Sequence, residues 1–137
     1  MKLDINKQNA LFQAYNMMDS YDVPVDNGAR VARVPFKLGV NRRIIVKNIS
    51  LLKASLTIWE ETRKSIFREV FPDAADETRI SEESDPVGFA KYIKVITEAS
   101  AHEDDLALIK LPDNVVFGEN EFPNVAIGTL MEIGLVE

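Results

Sequence analysis

Residues 36–71, FKLGVNRRIIVKNISLLKASLTIWEETRKSIFREVF, decide the architecture of this chain. Within them Ile45, Ile49, Leu52, Leu56, Trp59, Ile66 and Val70 recur at spacings of four and three, with Arg63 as the one polar intrusion. Only a helix gathers such positions onto one stripe. No proline interrupts the run, so the expectation is a rod of about 54 Å at 1.5 Å per residue, with Leu52 and Leu56 at the centre of its buried face. A second stripe, Val40, Ile44, Leu51 and Ile58, lies about 100–140° round the helix from the first. Two stripes need two partners. The helix is therefore either the central element of the monomer, covered on both flanks, or buried on one side by its own chain and on the other by a second copy, which makes the second stripe the candidate interface of a homo-oligomer.

Outward from the rod, residues 6–18 place Leu11, Ala14, Tyr15 and Met18 at helical spacing, with Asp4 as N-cap. Pro24 and the Asn27-Gly28 turn signal lie among Val23, Val25, Val31 and Val34, which reads either as a small hairpin or as an extended connector. Pro35 then fits the first turn of the rod. Beyond it, Pro72 stops the helix, and 72–85 is an acidic linker between helices. Ser84 or Asp85 caps a further helix with Pro86 in its first turn and Phe89, Ile93, Ile96 and Ser100 on one face. At about half the rod's length, this helix should fold back along the distal half. LALIKLP, 106–112, is the strand candidate, with the Val-rich segment as its expected partner. A last helix, 123–133, turns Val125, Ala126, Leu130 and Ile133 inward and ends at Gly134. The fold class expected is mainly α: a long central helix in an antiparallel helical hairpin with a small β element, in a single domain, 1–137.

The net charge of −6 is unevenly spread. No acid lies between Asp26 and Glu60, where Arg30, Arg33, Lys37, Arg42, Arg43, Lys47 and Lys53 carry +7, leaving −13 for the rest. Arg30, Arg33, Arg42, Arg43 and Lys47 are thus the candidate contacts for an anionic ligand or an acidic partner; the bland alternative is charge balance within the chain. The cations encircle the helix and only Phe36 stands among them as an aromatic, so nucleic acid is not the expected partner. Without cysteine there is no disulfide or thiolate chemistry. The N-terminal segment has no signal-peptide core and no stretch reaches membrane-spanning length, so a cytoplasmic protein is expected, with no membrane association.

Chemistry-bearing motifs are few. The single histidine, His102, stands beside Glu103, Asp104 and Asp105, but neighbours on a helix end do not converge on a metal, and a structural role at the negative helix end is expected. Paired carboxylates such as Glu60 with Glu61 fall on an exposed rod. No phosphate loop, dinucleotide fingerprint, nucleophile elbow or zinc motif occurs, and the sequon Asn48-Ile49-Ser50 falls inside the long helix as a chance match. Neither a catalytic residue nor a cofactor nor a metal site is expected.

The rod, with WEETRKSIF as its most similar element, and the ending LPDNVVFGENEFPNVAIGTLMEIGLVE resemble small proteins encoded by tailed bacteriophages and prophages, in the same order of elements along nearly the whole chain. The resemblance implies a phage origin and brings no catalytic residues with it. The functional expectation is a non-enzymatic interaction protein that binds a host or phage protein and inhibits host defence, acting in the host cytoplasm. Alternatives are an assembly component of the virion and a protein that sequesters a nucleotide signal on its arginines.

Overall fold

The computed structural model describes residues 1–19, 21–24, 30–33, 41–72, 85–117 and 122–137, with backbone alone at 21–24 and 30–33. Asp4 Oδ1 accepts from the Lys7 N–H at 2.9 Å, so helix α1 (Ile5–Asp19) starts where its cap stands. Leu11, Tyr15 and Met18 on its inner face are wholly buried. The Val-rich segment forms a hairpin, β2 (Tyr21–Pro24) antiparallel to β3 (Arg30–Arg33), with Val23 opposite Val31. The long helix α2 (Arg42–Val70) has 29 residues, about 43 Å at 1.5 Å per residue. Pro35, Val40 and the acidic stretch 73–84 lie outside the described residues.

Helix α2 is the central element, as its stripe requires. Ile45 and Leu52 have no exposed surface, while Ile49, Leu56, Trp59, Ile66 and Val70 are half-buried. Towards the distal end burial moves one position on, to Phe67 and Phe71. A strict seven-residue repeat drifts by about 20° per heptad on a straight helix, and three heptads suffice to shift the inward position. Helix α3 (Pro86–Ser100) begins at Asp85, whose side chain accepts from the Gly88 N–H at 3.0 Å. It runs back antiparallel to α2: Tyr92 meets Phe67 edge-on at 5.7 Å and Phe71 at 6.0 Å between ring centroids, while Ala99 reaches the middle of α2 beside Ile58 and Trp59. A Cβ on Gly88 would stand 2.6 Å from the Phe71 ring, so only glycine allows this approach. Of the face expected from the sequence, Phe89, Ile96 and Ser100 are half-buried, as are Tyr92 and Val95, whereas Ile93 remains 44% exposed.

Residues 106–112 do not form the expected strand, nor do they pair with the Val-rich hairpin. A short ladder joins β1 (Lys2–Leu3) to β4 (Asp104–Asp105) in antiparallel register and ends there. The chain then continues to Leu111, where an isolated parallel bridge meets Val136. In place of a neighbouring strand, the segment finds the side chain of Asn48 on α2. Asn48 Oδ1 accepts from the Ile109 N–H at 3.0 Å and Nδ2 donates to the Ile109 carbonyl at 2.8 Å. That two-bond exchange imitates one rung of a β-ladder. The second Nδ2 proton goes to the Tyr15 hydroxyl at 3.0 Å, so both protons of the buried amide are used.

A four-residue helix α4 (Asp113–Val116) and the closing helix α5 (Asn124–Ile133) complete the core. Ala126 and Leu130 are buried as expected, but Val125 is 71% exposed and Ile127 packs in its place. Gly134 adopts φ 90° and ends α5, and the Leu135 carbonyl accepts from the Leu111 N–H at 3.0 Å.

Replacing Asn48 with Ala leaves the Ile109 backbone and the Tyr15 hydroxyl without this partner and should cost about 1–3 kcal/mol in chemical denaturation. Ser50→Ala, at an exposed position two residues away, should cost about 0.5 kcal/mol or less. Burial pushes the Tyr15 phenol up to about 12 against an ordinary 10.0, with the Asn48 bond acting in the opposite direction. Because the folded-state value is raised, the stabilising contribution is intact below pH 10.0 and is lost as pH rises towards about 12. Denaturation at stepped alkaline pH should show that loss in the native sequence and a shallower one in Tyr15→Phe.

Candidate functional site

Gln8 and Tyr15 stand seven residues apart on α1, and Asn48 and Ser55 stand seven apart on α2. The helices run antiparallel, so Tyr15 meets Asn48 while Gln8 meets Ser55, whose hydroxyl donates to Gln8 Oε1 at 2.6 Å. Each rung also holds a residue of the strand-like segment. Gln8 Nε2 donates to the Leu3 carbonyl at 2.9 Å and to Asp104 Oδ2 at 3.0 Å. Gln8 is wholly buried, so these bonds replace the water it has lost.

The Gln8 rung forms the floor of a groove of about 360 Å³ at the root of the α2–α3 hairpin. Ile5, Ile58, Trp59 and Ala99 give it apolar walls, and Ser55, Thr62, His102 and Asp104 supply its polar groups. Thr62 donates its hydroxyl to the Ile58 carbonyl within its own helix. Asp104 is fixed through Oδ2 by Gln8, with the Ser55 hydroxyl at 3.5 Å. Its Oδ1 lies 3.9 Å from Nε2 of His102, an imidazole that is 77% exposed at the rim.

Serine, histidine and aspartate therefore share one groove, but in the wrong order for nucleophilic catalysis. Activating a hydroxyl needs the imidazole between carboxylate and hydroxyl. Here the carboxylate lies between the other two, and Ser55 spends its proton on Gln8. The arrangement offers binding groups. Among the described residues no group of three His, Asp or Glu side chains converges as a metal site.

Of the residues singled out by charge, Arg42, Arg43 and Lys47 do not line this groove. Arg42 forms an ion pair with Asp19 at 2.8 Å, joining the start of α2 to the end of α1. Arg43 and Lys47 are exposed on α2 one turn apart. Arg30 and Arg33 open and close β3, with side chains outside the described residues. On the second stripe Ile44 packs against the core, Leu51 is half-buried and Ile58 is 64% exposed. Asp105 binds the N-terminal ammonium at 2.9 Å, and that hydrogen bond holds its carboxyl below the usual aspartate value.

The groove was not anticipated from the sequence, although a signal exists. Asn48, Ser55 and Thr62 form a line of small uncharged polar residues at seven-residue spacing beside the apolar stripe, matched by Gln8 and Tyr15 on the shorter helix. Comparison with protein-family models, with curated proteins and with solved structures finds no match. Among the described residues no helix is long and apolar enough to cross a membrane.

Truncating Gln8 to Ala removes the group that connects Leu3, Ser55 and Asp104. The expected loss is about 1–3 kcal/mol in chemical denaturation, the range for stranding buried polar partners, and the β1–β4 amides should exchange with deuterium sooner than in the native chain.

Proposed function

We propose that this chain is a non-enzymatic interaction protein of phage type, which binds a host or phage protein through its distal α2–α3 hairpin and self-associates through α2. The observation that supports this reading is the state of α3. Among its 15 residues none is fully buried, and Val87 and Ile93 are 81% and 44% exposed. Ile58 on the facing helix is 64% exposed. The buried cluster, by contrast, is built from α1, the proximal half of α2 and the C-terminal elements, so the hairpin contributes little to it. An apolar surface held outside the core is what a protein-binding element requires.

Ile44, Leu51 and Ile58 recur every seven residues and pass from packed to open along the rod, which suits the seam of a helix-to-helix contact between copies. Host defence is the function such a phage protein would oppose, and the exposed hairpin the element that would oppose it.

Light scattering on the full chain should give at least twice the mass of 15.4 kDa, and Ile58→Glu should return it to monomer with an unchanged helical spectrum. A native chain that stays monomeric at every concentration overturns the self-association. Host proteins captured by the native chain and lost from both Ile58→Glu and Ile93→Glu support docking on the hairpin, and identical capture by all three overturns it.

A further inference from the structure

We propose that the groove at the root of the hairpin is a binding site for a small organic cation of the alkylammonium class, held between the Trp59 ring and the Asp104 carboxylate. Three observations carry this. The groove, at about 360 Å³, is of the size that encloses a small molecule. Among the described residues Asp104 is the one carboxylate that lines it, and no lysine or arginine does, so the charge these residues present is negative. That carboxylate is also oriented in advance: wholly buried Gln8 holds Oδ2 at 3.0 Å, while Oδ1 lies 3.9 Å from the rim imidazole, beyond hydrogen-bonding range.

Trp59 supplies the second half of the recognition. An indole face attracts a desolvated cation, and tryptophan does so best among the aromatic side chains. Ile58 and Ala99 provide the apolar contact that the alkyl part of such a ligand needs. The hydroxyls of Ser55 and Thr62 already donate to Gln8 and to the Ile58 carbonyl, so the groove offers few free donors to an anion. A carboxylate or phosphate ligand would face Asp104 unpaired. The net charge of −6 adds a weak attraction for cations at long range. This site is separate from the arginines of the chain's basic stretch, which suit ligands of the opposite sign.

Trp59 is the single tryptophan of the protein, so its fluorescence reports on the groove without interference. Choline chloride titrated into the full chain should change that fluorescence saturably and release heat in calorimetry with one site per chain, whereas the neutral carbon isostere of choline should do neither. Asp104→Asn, which keeps the shape and an oxygen acceptor, and Trp59→Leu, followed by calorimetry, should each weaken binding by roughly tenfold or more, the scale of a lost charge or cation–π contact. If Asp104→Asn shifts the thermal midpoint, Ser100→Ala, outside the groove lining, provides the stability control, and the choline-against-isostere contrast in the native chain still decides. Absence of saturable choline binding up to millimolar concentration, equal response to the isostere, or unweakened binding by Asp104→Asn overturns the proposal.

Discussion

The two-bond exchange between the Asn48 side chain and the Ile109 backbone is the constraint on which the rest of this fold depends. A chain segment that runs beside helices has no neighbouring strand to satisfy its peptide groups, and burying such groups unpaired is costly. One amide side chain, placed on the inner face of α2, provides both the donor and the acceptor. Its remaining proton fixes Tyr15, so a single residue sets the register between α1, α2 and the C-terminal segment. The Gln8–Ser55–Asp104 contacts repeat the arrangement two helical turns away. Two such points determine the antiparallel register of the helix pair in a way that apolar contacts, which tolerate sliding, do not.

Seen from this seam, the distal hairpin is a different kind of structure. It is held by Phe67, Phe71 and Tyr92, by the close approach at Gly88, and by half-buried aliphatic contacts. Along the outer part of the rod the charges pair locally, as Arg63 does with Glu60 at 3.0 Å, and exposed pairs of this kind add little to stability. The groove that contains Trp59 and Asp104 sits where the two regimes meet, with a hydrogen-bonded polar floor and apolar walls.

The helical elements were legible in the sequence because their determinants are local. Asp4 and Asp85 cap the helices that follow them, Gly134 closes the last one, and the spacing of Ile45, Leu52 and their neighbours placed the central stripe. What was not legible depended on distant partners. LALIKLP has the composition of a strand, and nothing in its own residues shows that a helix side chain will take the place of a second strand. The burial of Asn48 was hidden for the same reason: its pattern gives it a place beside the stripe, but its partners are 33 and 61 residues away. Periodicity places Ile93 and Val125 inward and both stand exposed, although the other residues of each face are covered, since spacing alone does not decide burial at the edge of a short helix's apolar face. The groove combines Ser55, Trp59, Asp104 and Ile5 from three regions of the chain, an assembly that spacing cannot reveal.

The segment that follows β4 also receives both ends of the described chain: the Leu106 N–H bonds to the Met1 carbonyl at 2.8 Å and the Glu137 N–H to the Leu111 carbonyl at 2.9 Å. The Met1–Leu106 contact closes a loop of most of the chain, which carries a large ordering cost and ties its loss to that of the surrounding structure. Among the described residues, helix α3 is held by side-chain packing on α2, as where Tyr92 meets Phe67 and Phe71. The molecule thus joins two kinds of holding, a seam tied by hydrogen bonds from distant parts of the chain and a hairpin tied by side-chain packing, and hydrogen exchange is expected to report different opening free energies for the two.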